Sequence, residues 1–250
     1  MTTASNNIGL CALCQRQAPL CRSHIIPEFC YEPTYDAKHR AIDMQRSGKG
    51  GRGPVAIQKG YRDRLLCSEC ECLLSRHEKC FKEFWYGPYG LPPQIDLRQR
   101  FVVLSGADPV SFRLFHLSVL WRASESPTCK NVDLGRYARI FRAALVSGSL
   151  QNTSHFPMFG QVLVDENGNV IHGLVLSPSR YRSPPSYAYS TVYAGCEWHV
   201  VVTDHPTKAQ DILSRAVGCD GRLVLRWRHW LRSGTLEAKM AAYKRRENAC

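Results

Sequence analysis

The chain has 250 residues, 44% of them hydrophobic, and a formal net charge of +12. That length suits one large domain or two small ones, and no apolar run approaches the ~20 residues needed to span a bilayer. The basic excess favours polyanionic partners, usually nucleic acid, although it can also serve solubility alone.

Met1 to Gly9 is polar and uncharged, without the basic and apolar regions of a secretory leader. It reads as a disordered lead-in (1–9) to a cytoplasmic protein. Twelve cysteines in such a chain are thiols and metal ligands rather than disulfides. Eight of them fall before residue 81, which marks residues 10–86 as a distinct module. Cys11-x-x-Cys14 and Cys67-x-x-Cys70 are its strongest chemical signal. Each pair lets two thiolates bind one ion at ~2.3 Å, and two pairs complete a tetrahedral, structural zinc site. The competing reading is two unrelated buried or redox pairs. Cys21, Cys30, Cys72 and Cys80 match no ligand spacing and read as core or helix-surface thiols.

Between the pairs, Ser47 to Pro54 (SGKGGRGP) reads as a flexible basic loop. Glu71 to Phe81 reads as a helix, with Glu71, Ser75 and Glu78 on one face and Leu74, His77 and Phe81 on the next. Turn-formers at Gly87 to Gly90, Pro92 and Pro93 mark a linker, and residues 94–250 read as an α+β accessory region. There Asp108 caps and Pro109 opens a buried helix to about Ala123. A second helix, Asp133 to Val146, turns Tyr137, Ile140, Phe141, Ala144 and Leu145 inward and ends at Gly148. Its Arg136, Arg139 and Arg142 form either a solvated face or a phosphate track.

A hairpin is predicted for Gln161 to Val164 and Val170 to Leu176 around Glu166-Asn-Gly-Asn169, and a second strand pair for Tyr187 to Tyr193 and Glu197 to Val202. Pro206 to Val217 reads as a helix, Arg222 to Trp230 as a strand, and the C-terminus as a basic helix. Trp227 and Trp230, between Arg226 and Arg228, either stack on bases or pack in a core.

One more motif stands out. Ser23-His-Ile-Ile-Pro27, followed by Leu65-Leu-Cys-x-x-Cys-Glu71 opening a helix, resembles the bacterial branch of the HNH (ββα-metal) endonuclease superfamily. The resemblance covers residues 10–86. Leu117 to Ala123 (LSVLWRA) is also similar to segments that follow such modules. It implies a zinc-stapled, treble-clef-like ββα module, and the elements read above add an α+β region of two helices, antiparallel hairpins and a basic C-terminal helix. It further implies hydrolysis of DNA phosphodiester bonds, with His24 as general base and Mg2+ or Mn2+ as catalytic ion.

Three positions depart from the family's pattern. Ser23 stands where a ligating Asp or His is common. Arg62 or Asp63 stands near the usual Asn. Glu71 replaces the final His. His24, Glu71 and Asp63 are therefore the candidate catalytic residues, and Glu71, Glu78 and His77 the candidate ligands of the catalytic ion. Lys49, Arg52, Arg62, Arg64, Arg226 and Arg228 are candidate nucleic-acid contacts. The resemblance suggests antiviral defence or a mobile element, with a partner protein of the same system. The alternative is a catalytically inactive zinc module that binds nucleic acid or protein.

Overall fold

The computed structural model describes residues 7–47, 54–129, 131–150, 156–183, 186–204 and 214–247. It is a mixed α and β protein with one six-stranded, one three-stranded and one two-stranded sheet.

The chain begins with β1 (Ile8–Leu10), so the lead-in ends before Ile8. The backbone of β1 pairs with β2 (Gln17–His24), because a tight turn at Cys11 to Arg16 folds the chain straight back. Gln15 takes a positive φ of 59° to complete that turn. β2 then pairs antiparallel with β5 (Arg62–Cys67), which runs directly into α1 (Ser68–Trp85). A register shift between Leu20 and Arg22 puts an extra residue on β5. Both Leu65 and Leu66 are buried as a result, which strict strand alternation would forbid. The shift leaves the Leu66 N–H without a ladder partner. Ser23 supplies one, its Oγ accepting at 3.2 Å.

The segment between β2 and β5 is looped out. It forms two 3-10 turns, Glu28–Cys30 and Glu32–Thr34, and a hairpin of β3 (Ala41–Ser47) and β4 (Pro54–Ile57). The predicted basic loop at its tip, with Lys49 and Arg52, lies outside the described residues.

β6 (Phe101–Leu104), β7 (Met158–Val164), β8 (Leu176–Ser183), β9 (Ser186–Tyr193), β10 (Cys196–Val202) and β11 (Leu223–His229) form the large sheet in the order β6-β11-β7-β10-β9-β8. Every pairing is antiparallel except β7 with β11. The predicted pair across Ala194-Gly195 is β9 and β10, and both turn residues have positive φ, as a tight two-residue hairpin requires. The hairpin predicted at Glu166 to Asn169 turns as expected, with Asp165 accepting from the Asn167 and Asn169 amides. Its second arm departs after a single bridge at Val170, and the chain resumes as β8 beside β9. The predicted helix at Pro206 to Val217 lies largely outside the described residues.

α2 (Pro109–Glu125) starts where Asp108 accepts a hydrogen bond from the Val110 N–H. Phe112 and every residue from Leu114 to Ala123 are buried, so the helix is enclosed on all sides. α3 (Tyr137–Ser147) begins four residues later than predicted, because Asp133 caps a turn at Gly135 instead. It ends at Gly148 with φ 68°, as expected, while Ile140 is exposed rather than inward. α4 (Gly234–Glu247) is the C-terminal basic helix. No described helix is long and apolar enough to cross a membrane.

The core does not respect the predicted linker. Leu13, Leu66 and Leu74 share one cluster with Leu117, Trp121, Phe141, Val200 and Val202. Phe81 and Trp85 share another with Phe112, Phe115, Tyr193 and Trp198. In and just after the predicted linker, Leu91 and Ile95 are buried, and Ile95 N–H bonds the Gly168 carbonyl of the turn after β7 at 2.9 Å, so these two residues anchor to the large-sheet region while Tyr89 stays exposed.

Candidate metal centre and the His24 corner

Two backbone turns build the cysteine cluster. One joins β1 to β2 and carries Cys11 and Cys14; the other joins β5 to α1 and carries Cys67 and Cys70. The Ala12 N–H bonds the Leu65 carbonyl at 2.9 Å and holds the two turns together. All four sulfurs lie within 4.8 Å of one another, the only such group of three or more potential ligands among the described residues. Cys14 and Cys67 Sγ are 3.8 Å apart. A tetrahedron of sulfurs about 2.3 Å from a central zinc has edges of about 3.8 Å, so the set fits an ion such as zinc.

The Cys67 N–H points at Cys11 Sγ from 3.3 Å, the kind of contact that stabilises a thiolate. Arg16 Nε lies 3.5 Å from Cys14 Sγ, and its hydrogen bond brings that thiol down to about 6. Burial pushes Cys67 and Cys70 up, as does crowding by neighbouring thiols. Four thiols packed this tightly resist ionising together unless a cation neutralises them. An ion held by all four sulfurs would have no open position for substrate.

His24 is the last residue of β2, opposite Arg62 at the start of β5. It lies beside a bend where Lys59 and Gly60 both have positive φ, and the Lys59 backbone favours its protonated ring. A Cβ on Gly60 would meet the Tyr31 ring at 2.4 Å, so only glycine permits this approach. His24 Nε2 is buried without a hydrogen-bond partner. Burial lowers the ring's pKa, and the positive charges of Arg62 and Arg122 add to that, while Glu28 opposes them. The imidazole is accordingly neutral at physiological pH.

The other candidate residues scatter around this corner. α1 runs alongside β2, so Glu71 influences Cys21 near the strand's middle, and Glu78, two turns on, influences Cys30 near His24. Glu71 Oε1 is buried and unpartnered. Glu78 Oε1 binds Arg122 Nη2 at 2.8 Å, and Arg122 is 1% exposed. His77 points elsewhere, towards the charge of Asp108. Asp63 accepts from the Ser126 hydroxyl and from Thr128 N and Oγ1, at 3.3 and 2.9 Å, tying the end of α2 to β5. His24, Glu71, Glu78, His77 and Asp63 thus do not converge on one point.

Among the basic candidates, Arg62 adjoins His24, and Arg64 Nη1 bonds the Leu20 carbonyl at 3.1 Å. Arg226 and Arg228 lie on β11 in the other sheet, with Arg226 beside the Phe101 ring and Arg228 bonding the Arg232 carbonyl. Trp227 Nε1 bonds the Gln99 carbonyl at 2.7 Å, a packing contact. Arg142 bonds the Leu13 carbonyl at 3.3 Å, so one member of the arginine stripe on α3 braces the first cysteine turn.

Sequence reasoning missed Glu28, His39 and Arg122. Glu28 was signalled only by standing four residues after His24. His39 and Arg122 reach the corner through tertiary folding and leave no local spacing to read. No protein-family model, curated protein or solved structure matches the chain.

Proposed function

We propose that the chain is a metal-dependent endonuclease of HNH type that hydrolyses DNA phosphodiester bonds, with His24 as general base and zinc in the four-cysteine centre. One observation carries the reading. The motif histidine ends a strand, opposite an arginine, on the strand that leads into the second cysteine pair and its helix. In this reading β2, β5 and α1 are the ββα-metal, treble-clef-like core.

His24 Nε2 has a lone pair free of any protein partner, and burial keeps it neutral and able to take a proton from an attacking water. Arg62, across the ladder, is placed to neutralise the phosphate under attack. Mg2+ or Mn2+, when bound, supplies further charge to the crowded phosphate and the leaving oxygen. The +12 charge draws DNA to the surface. A setting in bacterial defence or a mobile element belongs to the same proposal.

The test is cleavage of plasmid and linear DNA by purified protein with Mg2+, Mn2+ or EDTA, beside His24→Ala. Cutting that needs the ion and falls at least 100-fold in His24→Ala is expected. Equal cutting by both proteins overturns the role of His24.

A second reading has its own observation. Glu78 is committed to Arg122 and Asp63 to Ser126 and Thr128, which takes two expected acids out of the chemistry. A zinc module that grips nucleic acid without cutting predicts salt-sensitive binding and no cleavage in any metal.

A further inference from the structure

Glu28 closes the first turn after the Ser-His-Ile-Ile-Pro segment, and each of its carboxylate oxygens faces an imidazole. Oε2 is 3.6 Å from His24 Nε2, and Oε1 is 3.6 Å from His39 Nε2. The His39 side is deliberately built. Asp36 Oδ1 accepts from the backbone N–H of Lys38 and of Arg40, Asp36 Oδ2 accepts from the Arg40 guanidinium, and the Asp36 carbonyl accepts from the His39 N–H. That turn holds His39 at φ 56°, a conformation uncommon outside glycine, and lays its ring on Tyr35 with centroids 4.0 Å apart.

The His24 side poses an electrostatic problem. Nε2 is buried with no hydrogen-bond partner, and it faces a carboxylate oxygen. When Nε2 carries the lone pair that a general base needs, two acceptors meet, and they repel unless a proton or a cation lies between them. The His39 imidazole and the Glu28 carboxylate are donors that suit divalent transition ions, which leaves the His24 lone pair for a proton.

We infer that Glu28 and His39, with His24 facing them, form a site for one divalent cation, separate from the four-cysteine centre. Converging on a single ion takes a swing of the 56% exposed His39 ring away from the Tyr35 ring. The surrounding charges set the strength. Arg122 is neutralised by Glu78, whereas Arg62 opposes a cation. One carboxylate against one arginine gives weak binding, which an added phosphate strengthens. As the catalytic-ion site, this rests on the nuclease reading; as a cation site, it does not. Its carboxylate would be Glu28, in place of Glu71, which lies towards Cys21, or Glu78, which is held by Arg122.

The test is Mn2+ titration of the zinc-loaded, full-length protein, followed by the EPR signal of free Mn2+. Glu28→Gln, His39→Ala and, as a control on the exposed face of α1, Glu83→Gln are compared, with circular dichroism confirming each fold. One bound Mn2+ is expected, weakened at least 10-fold by Glu28→Gln, several-fold by His39→Ala and unchanged by Glu83→Gln. Binding that Glu28→Gln leaves intact, or no binding at millimolar Mn2+, overturns the site. Mn2+ bound through Glu28 in a protein that cuts no DNA keeps the site and removes the nuclease. Cutting that needs Mn2+ and His24 but ignores Glu28→Gln keeps the nuclease and overturns this site as that of its catalytic ion.

Discussion

The cysteine centre and the His24 corner lie at opposite ends of the same pair of strands, yet they are assembled differently. The centre draws on two short turns, each carrying two ligands three residues apart, and needs only the β2–β5 pairing to close. The corner gathers Glu28, His39, Lys59, Arg62 and Arg122 around His24, from a 3-10 turn, two bends, a strand and a distant helix. A site whose ligands are set by local turns is complete once its strands align. A site gathered from loops depends on every element that holds those loops, and it keeps room to adjust.

That contrast ranks the expected effects of perturbation. Cys70→Ser should be the most damaging, because a structural zinc site contributes on the order of 10 kcal/mol to folding in small zinc domains. Loss of stoichiometric metal and of a cooperative thermal transition is expected. A variant that melts like the parent would show that the centre is ornamental and collapse the distinction. Next comes Glu78→Gln, which strands the buried Arg122 charge and should cost about 3–5 kcal/mol in urea unfolding, with metal content unchanged.

Acid probes the core that both sites share. His116 is enclosed by Phe81, Phe115 and Trp198, and burial holds its pKa down to about 3. Above its ordinary value of 6.5 both folded and unfolded chains carry it neutral, so its contribution is fully present. As pH falls from 6.5 towards 3, only the unfolded chain gains the proton, and stability is lost. By pH 5 the loss is about 2 kcal/mol, and His116→Phe should flatten that part of the stability–pH curve. The smallest effect is expected for Asp108→Ala, which removes the cap of the helix that carries Arg122. About 1 kcal/mol should disappear from chemical denaturation, without change in bound metal.

What could be read in the chain beforehand follows the same division. The cysteine pairs, the Asp108-Pro109 start of α2 and the Ala194-Gly195 hairpin were all legible, because each depends on residues a few positions apart. Ser23 was conspicuous as a departure from the family's pattern, but its work could not be read. It satisfies an amide freed by a register shift on the opposite strand, and no single strand encodes that. Arg122 sits amid an apolar run, and its burial makes sense only once Glu78 is known to meet it. Between the knuckles only Ser47 to Pro54 has a local signal, a basic loop, and the turns that bring Glu28 and His39 together carry none. The parallel β7–β11 pairing joins strands with three other strands between them in the chain, beyond the reach of any periodicity.

The indole of Trp85, in the last turn of α1, donates to the Ala194 carbonyl at 2.9 Å, across 109 residues of sequence. At synthesis rates of roughly 5–20 residues per second, the ribosome needs about 5–20 s to deliver the second partner after the first. Cys11, Cys14, Cys67 and Cys70 are all made before that interval begins, so the metal can be captured early. Phe81 can meet Phe112 and Phe115 of α2 sooner, but the Trp85 face that Trp198 covers must wait until the large sheet is made. A nascent chain stalled between residues 85 and 194 would therefore be metal-loaded and sticky, a natural client for a chaperone that shields aromatic surface.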